Sequence, residues 1–155
     1  PKTDETILAQ GELVCDGHKA VLKETLYHDS STGNTQIAGY ISISNPEKQF
    51  DETWIEYSIT PNWEVDLRRR FDDKSDFYSG AQWKPHPVGR VARVLVSPSL
   101  RRAGLGQWLV DQAEQRMRCY QATKVTLFDA EESGKFWPRM GYRGRGGSDR
   151  AKALK

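Results

Sequence analysis

The sequence predicts a single mixed α/β (α+β) domain, in which a largely antiparallel sheet precedes a strand–helix–strand unit. Apolar and polar residues alternate through much of the first sixty residues, as in half-buried strands. From residue 91, an apolar run, an amphipathic segment and a second apolar run follow one another at the length that a parallel crossover needs. The chain has 155 residues, which is enough for one domain with its own core.

The first sixty residues predict an antiparallel meander. Residues 6–14 and 19–27 flank the turn dipeptide Asp16-Gly17, which is the signature of a hairpin. Residues 36–44 and 53–60 then alternate in a two-residue period, which predicts two half-buried strands. The residues on their buried faces are expected to be Ile37, Gly39, Ile41, Ile43, Ile55, Tyr57 and Ile59.

Residues 61–90 have no periodic pattern and combine aromatic side chains with charges. A short helix over residues 64–71 is predicted within this stretch. A connection of this length inside a compact domain is usually a functional loop or a disordered one, and its aromatic residues favour packing against another surface. We therefore expect a substrate-binding loop here.

The pattern sharpens from residue 91. Residues 91–96 form a nearly continuous apolar run, which predicts a strand covered on both faces. An amphipathic helix is expected to begin near Gly104, and a short buried strand to follow over residues 124–128. Residues 131–140 are predicted to form a short helix that ends at Gly141, a residue suited to a left-handed helix terminus. The apolar stripe of the first helix is Leu105, Trp108, Leu109, Ala113 and Met117.

The turn that enters the first helix has the composition of an anion site. It reads Arg101-Arg102-Ala103-Gly104-Leu105-Gly106. Amide groups in the first turn of a helix lack internal partners and the helix dipole adds partial positive charge, so a pyrophosphate fits there. The glycines let the backbone approach the phosphates, and the arginines supply charge-assisted bonds. The glycines alone also fit a plain strand-to-helix turn, whereas a dinucleotide site would need a third glycine at Leu109.

Two motifs together resemble the GNAT superfamily of acyl-CoA-dependent N-acetyltransferases. That family's acyl-CoA motif is a strand ending in Val-x-Pro followed by [Gln/Arg]-x-x-Gly-x-[Gly/Ala], and residues 96–106 match it. Residues 127–142 look like the family's next strand and helix, which end in Phe-Tyr-x-x-x-Gly-Phe. The motifs lie in about the last third of the chain, and the first ninety residues carry no family motif.

The resemblance implies a GNAT-like mixed sheet that is splayed between two strands and flanked by helices, here with an extra N-terminal β-hairpin or meander. The whole chain, 1–155, would be one domain. It would comprise antiparallel strands (1–60), a substrate-side loop region (61–90), the CoA-binding region (91–142) and a short basic C-terminal segment (143–155). Acetyl-CoA is the implied cofactor. Beside the turn at residues 101–106, its implied contacts are Leu95, Val96, Ser133, Phe136 and Trp137.

The implied reaction transfers an acetyl or other acyl group to a primary amine by direct attack, which needs a base, a donor for the carbonyl oxygen and an acid. The tyrosine that commonly serves as the acid aligns with Trp137, whose indole cannot release a proton. A place in the core or in a pocket wall is favoured for Trp137 over any catalytic role. Tyr142, Tyr120 or Ser133 would replace the acid, or the thiolate would leave unaided.

Three groups are candidates for other roles in catalysis. Glu56 lies on the polar side of the strand at residues 53–60 and is the candidate base, although a solvated surface carboxylate has the same pattern. His86 titrates in the right range but is flanked by prolines. Asp129 either binds the acceptor or caps the following helix, and we favour the cap.

Composition restricts the partners. A formal net charge of +2 gives no large overall field, so only Arg68-Arg69-Arg70 and the basic C-terminal segment support nucleic-acid binding. The alternative function is thus a catalytically atypical module that binds CoA or nucleic acid, or one that modifies a nucleobase amine. The acceptor itself, a small molecule or a macromolecule, is not specified by any motif.

The remaining features concern the compartment and the assembly. No apolar run reaches bilayer length and no signal-like start is present, so we expect a cytoplasmic protein without membrane contact. Cys15 and Cys119 are expected to be buried or half-buried, with no metal site. Thirteen residues follow Tyr142, enough for one strand. Either the last strand is missing, or the early hairpin or a second subunit, as in a homodimer, completes the sheet.

Overall fold

The computed structural model describes residues 3–15, 17–31, 35–45, 52–60, 87–97, 100, 104–129, 135–144 and 148–154. The strands in these ranges are β1 (Thr3–Cys15), β2 (His18–Asp29), β3 (Thr35–Ile43), β4 (Trp54–Thr60), β5 (Val88–Leu95), β6 (Lys124–Asp129), β7 (Arg143–Gly144) and β8 (Ser148–Ala153). The helices are α1 (Leu105–Cys119) and α2 (Phe136–Arg139). The described strands form one sheet in the order β1-β2-β3-β4-β5-β6-β8-β7.

The first five strands pair antiparallel in chain order, which confirms the predicted hairpin and meander. The hairpin turns between Cys15 and His18, which are paired, and Gly17 has a φ of 82° there. Only a glycine adopts that backbone region without strain, which explains the Asp-Gly signature. β6 then pairs with β5 in parallel, so the crossover predicted through α1 is also confirmed.

The sheet has a helix face, covered by α1, and an opposite face that we call the open face. Because side chains alternate along a strand, the buried isoleucines Ile41, Ile55 and Ile59 all point to the helix face. Leu109, Ala113 and Met117 of α1 are fully buried, as the predicted stripe requires. The open face of the central strands carries Tyr40, Trp54, Glu56, Arg90 and Arg93.

The C-terminal segment contributes two strands, where the sequence was expected to supply at most one. β8 pairs antiparallel with β6, and the two-residue β7 pairs with the other side of β8. The expectation of a missing last strand is therefore wrong, as is completion by the early hairpin, because β1 lies at the opposite edge of the sheet. Completion by a second subunit is not needed for this part of the sheet.

Two buried ion pairs explain how such a polar segment becomes a strand. Arg150 donates from Nε to the Asp129 carboxylate at 2.6 Å, and Lys152 Nζ lies 2.9 Å from Glu114 Oε1. Both cations point to the helix face, where they hold β8 on β6 and α1. These two residues are therefore committed to internal pairs, which weakens the case for the basic C-terminal segment as a nucleic-acid surface.

Smaller expectations had mixed outcomes. Gly141 has a φ of 94°, which confirms the predicted left-handed terminus after α2. The helix predicted over residues 131–140 is described only from Phe136, and the one over residues 64–71 lies outside the described residues. Cys119 is exposed at the end of α1, so the expectation of a half-buried thiol was wrong there. Among the described helices, none is long and apolar enough to cross a bilayer.

A buried polar network connects β2, β4 and the C-terminal end of α1. The Glu24 carboxylate is fully buried and accepts hydrogen bonds from the Tyr57 hydroxyl (2.5 Å), the Tyr120 hydroxyl (2.8 Å) and both Nε and a terminal nitrogen of Arg116 (3.0 and 2.6 Å). The Tyr57 ring reaches Glu24 by crossing Gly39, where an added Cβ would overlap the ring. Gly39 is therefore a requirement of the network.

The pKa of Glu24 makes this network sensitive to acid. Burial alone raises that pKa, but hydrogen bonds from Arg116, Tyr57 and Tyr120 outweigh burial, and the pKa is lowered from its ordinary value of 4.5. A carboxyl group whose pKa is lower in the folded state than in the unfolded state makes its full contribution to stability at pH values above the ordinary pKa. That contribution is lost as the pH falls through the folded value.

We expect the stability difference between the wild-type protein and Glu24→Gln to narrow on acidification. The difference should be largest near neutral pH and shrink as the pH falls below 4.5, because the variant has no carboxyl group to protonate at this position. Urea unfolding at a series of pH values measures it. A difference that stays constant down to about pH 3 would show that Glu24 is not held ionised.

Candidate active site

A gap opens between β5 and β6 toward the C-terminal ends of these two parallel strands. Their pairing runs from Val88 with Lys124 to Val91 with Leu127 and stops there. Each strand nevertheless continues, since β5 pairs with β4 as far as Leu95, and β6 pairs with β8 to its last residue. The two strands thus diverge, and ligands of open α/β sheets characteristically bind outside such carboxyl ends.

A β-bulge explains where the divergence begins. On β4, the consecutive residues Glu56 and Tyr57 pair with Arg93 and Val91, so Ala92 of β5 has no partner. A bulge bends its strand and increases the local twist. Because Ala92 directly follows the last residue of β5 that pairs with β6, the bend carries the rest of β5 away from β6. The splayed sheet expected from the sequence is confirmed.

The sides of the gap expose apolar side chains. Leu95 on β5 is 44% exposed and Phe128 on β6 is 58% exposed, and both lie beyond the last paired residues. The expectation that residues 91–96 are covered on both faces is therefore wrong for this end of the strand, where Ala92 and Arg93 also face solvent at least in part. Exposed apolar groups beside unpaired strand edges suit a bound ligand with an apolar arm.

The N-terminus of α1 lies next in the chain after this gap. Gly104 precedes the helix with a φ of 74°, and its carbonyl accepts the Trp108 amide at 3.0 Å. Within the described residues, no side chain caps this end and no acidic residue lies in the first turn. The first amide groups and the positive end of the helix dipole are therefore available to an anion. Leu105 is buried, so only its backbone can contribute.

The two glycines of the motif have different roles. Among the described residues, a Cβ on Gly104 would meet nothing within 4 Å, so glycine is needed there for its positive φ rather than for space. A Cβ on Gly106 would lie 3.3 Å from Val96 and 3.4 Å from Phe136. Gly106 therefore permits close packing of α1 on the end of β5 and on α2, and its expected role in the approach of a phosphate stays a prediction.

Thr53 fixes the chain where it leaves β5. Its hydroxyl oxygen accepts the Ser97 amide at 2.9 Å, and its carbonyl oxygen accepts the Ile43 amide at the same distance. The Ser97 carbonyl in turn accepts the Leu100 amide at 2.9 Å. Thr53 and Ser97 are both buried, so these bonds are shielded from water. They set the path from the gap toward the turn before α1.

The two aromatic residues of α2 have different environments. Phe136 is half-buried against Gly106, close to the N-terminus of α1, and its contact with a coenzyme stays a prediction. Trp137 is buried between the rings of Phe136 and Tyr142, with centroid distances of 4.8 and 5.2 Å. The structure thus gives Trp137 a place in the core, and a coenzyme contact by its side chain stays a prediction.

The tyrosines considered as acids are engaged elsewhere. The buried Tyr142 hydroxyl donates to Glu114 Oε2 at 2.7 Å, and the Tyr120 hydroxyl donates to Glu24. Burial and the neighbouring carboxylate raise the pKa of Tyr142 far above its ordinary range, and the same causes raise the pKa of Tyr120. Both phenols therefore stay protonated and donate their protons in hydrogen bonds to these carboxylates. A catalytic role for Tyr142 would require that this bond break.

The two candidate carboxylates occupy opposite faces of the sheet. Glu56 is exposed on the open face, one strand from the gap and in register with Arg93. Asp129 ends β6 on the helix face, where it is buried and paired with Arg150. Its charge is therefore balanced within the fold, and contact with an acceptor stays a prediction. Residues 130–134, which follow Asp129, lie outside the described residues, so the expected helix cap stays a prediction.

Several predicted residues cannot be placed. Arg101, Arg102, Ala103 and Ser133 lie outside the described residues, and so do His86 and most of the loop region at residues 61–90. Sequence reasoning also missed Thr53, Tyr40 and Arg93. A threonine just before a strand has no distinctive pattern. The outward position of Tyr40 was readable from strand alternation, whereas that of Arg93 depends on the bulge at Ala92, which alternation does not reveal.

Comparison with known proteins agrees with this geometry. The profile of the acetyltransferase (GNAT) family matches residues 21–142. A crystal structure from Desulfovibrio desulfuricans, of a protein assigned to the GNAT family of acetyltransferases, superposes on 76% of this chain and 69% of its own, with a TM-score of 0.50 and 12% identity. At that identity the likeness is one of fold. No curated protein matches the chain significantly. The family profile spans most of the chain, which therefore belongs to the acetyltransferase (GNAT) family.

Proposed function

We propose that this protein transfers an acetyl group from acetyl-CoA to a primary amine. The observation that carries the proposal is the divergence of β5 and β6 beside an uncapped helix N-terminus. The uncapped helix N-terminus suits the diphosphate of acetyl-CoA. The gap between the diverging strands suits the long, thin arm of acetyl-CoA, which ends in the thioester. Family membership supports acyl transfer in general, while the donor and the amine acceptor are our inference.

The residues that would hold the donor fit its chemistry. Amide groups at the start of α1 suit the diphosphate, and the unpaired edge of β5 beyond Val91 offers backbone groups to an amide-containing arm. Leu95 and Phe128 offer apolar surface on either side. The bound thioester supplies an activated carbonyl carbon, to which the amine nitrogen bonds while the carbon–sulfur bond breaks and its electron pair leaves with sulfur.

Glu56 is the described residue best placed to remove the proton of the attacking ammonium. It is exposed on the open face, and none of the interactions of the described residues engages its carboxylate. Neither of the tyrosines considered as the acid is free to protonate the thiolate, because Tyr120 and Tyr142 donate to buried carboxylates. We therefore propose that the thiolate leaves without a proton from either tyrosine, as coenzyme thiols are moderately acidic.

Replacing Gly104 with valine should weaken acetyl-CoA binding by about tenfold. A β-branched residue at a φ of 74° costs about 1–2 kcal/mol in the native conformation, and its side chain would project into the space before the helix. Isothermal titration with acetyl-CoA and with CoA measures the loss. Gly104→Asn, which tolerates the left-handed region, should lose less.

The matched control for that substitution is Gly17→Val. Gly17 has a φ of 82° and no described residue within 4 Å of the position that a Cβ would take, so the strain is similar. It lies in the β1–β2 turn at the other side of the sheet. Its variant should bind the coenzyme like the wild type. Equal losses in both variants would trace the effect to general strain. Unchanged affinity in Gly104→Val would contradict the site.

Turnover separates this proposal from a module that only binds CoA. Release of free thiol from acetyl-CoA should depend on an added amine, and the product should carry a new amide. Coenzyme binding without thiol release, across a panel of small amines, amino acids and peptides, would instead support the atypical binding module. Binding of DNA or RNA that weakens steeply with added salt would support the alternative in which the module binds nucleic acid.

A further inference from the structure

Four side chains form one row across the open face, directly beyond the last residues that join β5 to β6. Lys23 on β2 pairs with Tyr40 on β3, Tyr40 pairs with Glu56 on β4, and Glu56 pairs with Arg93 on β5. We call these four residues the acceptor row. Directly opposed residues on one face have Cβ atoms about 5 Å apart, so neighbours in the row can contact the same small molecule.

Glu56 and Arg93 carry opposite charges in register, yet neither makes a hydrogen bond or ion pair within the described part of the chain. By contrast, Arg90 on the same strand and face donates to Thr126 at 3.2 Å and lies 3.9 Å from Asp149. An anion-binding and a cation-binding group thus stand side by side at the gap, and none of the described residues uses the capacity of either.

An aromatic wall adjoins the Glu56 carboxylate. Tyr40 faces Glu56 across the strands, and Trp54 is two residues before Glu56 on the same face. The Tyr40 and Trp54 rings have centroids 5.8 Å apart at an interplanar angle of 35°. Aromatic faces and a carboxylate together favour an ammonium group, since the rings attract a cation through their quadrupoles.

The charges around the row disfavour a polycation. Lys23 forms one end of the row and Arg93 the other, so a second positive charge on the acceptor would meet one of them. A negative charge on the acceptor would meet the guanidinium of Arg93, whose planar geometry suits bidentate hydrogen bonding to a carboxylate. Charge complementarity therefore selects an acceptor with one ammonium and one anionic group within a few bonds.

We propose that the acceptor is an amino-acid-like zwitterion, whose carboxylate is held by Arg93 and whose ammonium lies at Glu56 against Tyr40 and Trp54. The inference rests on the proposed N-acetyltransfer and names its substrate class. Arg93 belongs to β5, the strand that borders the gap, so it fixes the amine beside the position of the thioester. The ammonium gives one proton to Glu56, and its nitrogen bonds to the thioester carbonyl carbon while the carbon–sulfur bond breaks. The second proton on nitrogen passes to the departing thiolate or to water as the amide forms.

The test compares amino acids with the amines that lack only the carboxylate. Phenylalanine and tryptophan are paired with phenethylamine and tryptamine, and thiol release from acetyl-CoA is followed at saturating coenzyme. We expect the wild type to favour the amino acids by at least about tenfold in kcat/KM. Arg93→Gln should raise KM for the amino acids by about 10- to 100-fold with little change in kcat, and leave the amines unaffected.

The matched control is Arg90→Gln, which removes a cation from the same strand and face but should keep the preference. The inference is overturned if the amines match the amino acids, if a polyamine such as spermidine is the better acceptor, or if Arg93→Gln leaves the preference intact. Each of these results leaves N-acetylation itself standing.

Absence of turnover with every amine would instead contradict the proposed function, so binding is measured independently. The amino acids are titrated calorimetrically into the chain saturated with CoA. Binding that Arg93→Gln abolishes and Arg90→Gln does not supports the zwitterion site even without chemistry. No binding of any amino acid overturns it.

Discussion

Replacing Glu24 with alanine should lower the free energy of unfolding by about 3 kcal/mol. Removing one partner from a buried ion pair typically costs about 3–5 kcal/mol, because the other charge is left without compensation. Here Arg116 is partly exposed and can turn to water, which keeps the cost near the lower end. The Tyr57 hydroxyl cannot turn to water, because Tyr57 is buried and its ring crosses Gly39, so it would be left without a hydrogen-bond acceptor. Urea unfolding measures the change.

Glu56→Ala is the matched control for stability. It truncates a glutamate in the same sheet, but the side chain is exposed and makes no hydrogen bond or ion pair within the described residues. Its effect should stay within about 0.5 kcal/mol. Tyr57→Phe, which removes a single donor from the network, should fall between the two at about 1 kcal/mol. Similar values for Glu24→Ala and Glu56→Ala would show that the network does not stabilise the fold.

The Glu24 network shows what strand alternation alone conveys and what it does not. Ala20, Leu22 and Leu26 alternate toward the helix face, and Glu24 stands in the same series. A charged residue at a core-facing position signals a buried partner, but the partners Arg116 and Tyr120, at the C-terminal end of α1, are about ninety residues away in the chain. Sequence periodicity predicts the face of the sheet on which a side chain lies. Its hydrogen-bond partners are known only from the tertiary fold.

The C-terminal strands were missed for a related physical reason. Residues 148–153 contain no aromatic or β-branched residue, so their local propensity for a strand is low. They form β8 because Arg150 and Lys152 find Asp129 and Glu114 on the helix face, while the backbone completes the unpaired edge of β6. Tertiary ion pairs thus override a polar composition that suggested a charged tail.

The candidate site was predictable where a local motif defines it. The turn into α1 follows from residues close together in sequence, and Gly104 has the backbone conformation for which glycine is needed. The splay of the sheet was implied only by the family resemblance, because the bulge that explains it arises where β5 pairs with β4. The acceptor row was not predictable, because Lys23, Tyr40, Glu56 and Arg93 come from four strands whose register no motif reveals. Glu56 alone was selected, from its place on the polar side of its strand.

Replacing Glu56 with glutamine should reduce kcat by about 100-fold while acetyl-CoA affinity stays unchanged. A positioned general base contributes typically about 10² to 10⁴ in rate, and the lower value applies because an exposed site lets water accept part of the proton flux. Glutamine keeps the shape and can still accept a hydrogen bond from the ammonium, so binding of the acceptor should fall less than the rate. Steady-state kinetics with the best amine acceptor and coenzyme titration measure the two effects.

Asp149→Asn provides the control for charge near the gap. Asp149 is the carboxylate on β8 that pairs in register with Phe128, on the far side of the gap from Glu56, and it lies 3.9 Å from Arg90. Its variant should keep kcat within about twofold. A pH–rate profile adds a second criterion, since loss of the general base should change the dependence of the rate on pH. An unchanged pH–rate profile in Glu56→Gln would remove Glu56 from the mechanism. A larger loss of kcat in Asp149→Asn than in Glu56→Gln would place the base on the other side of the gap.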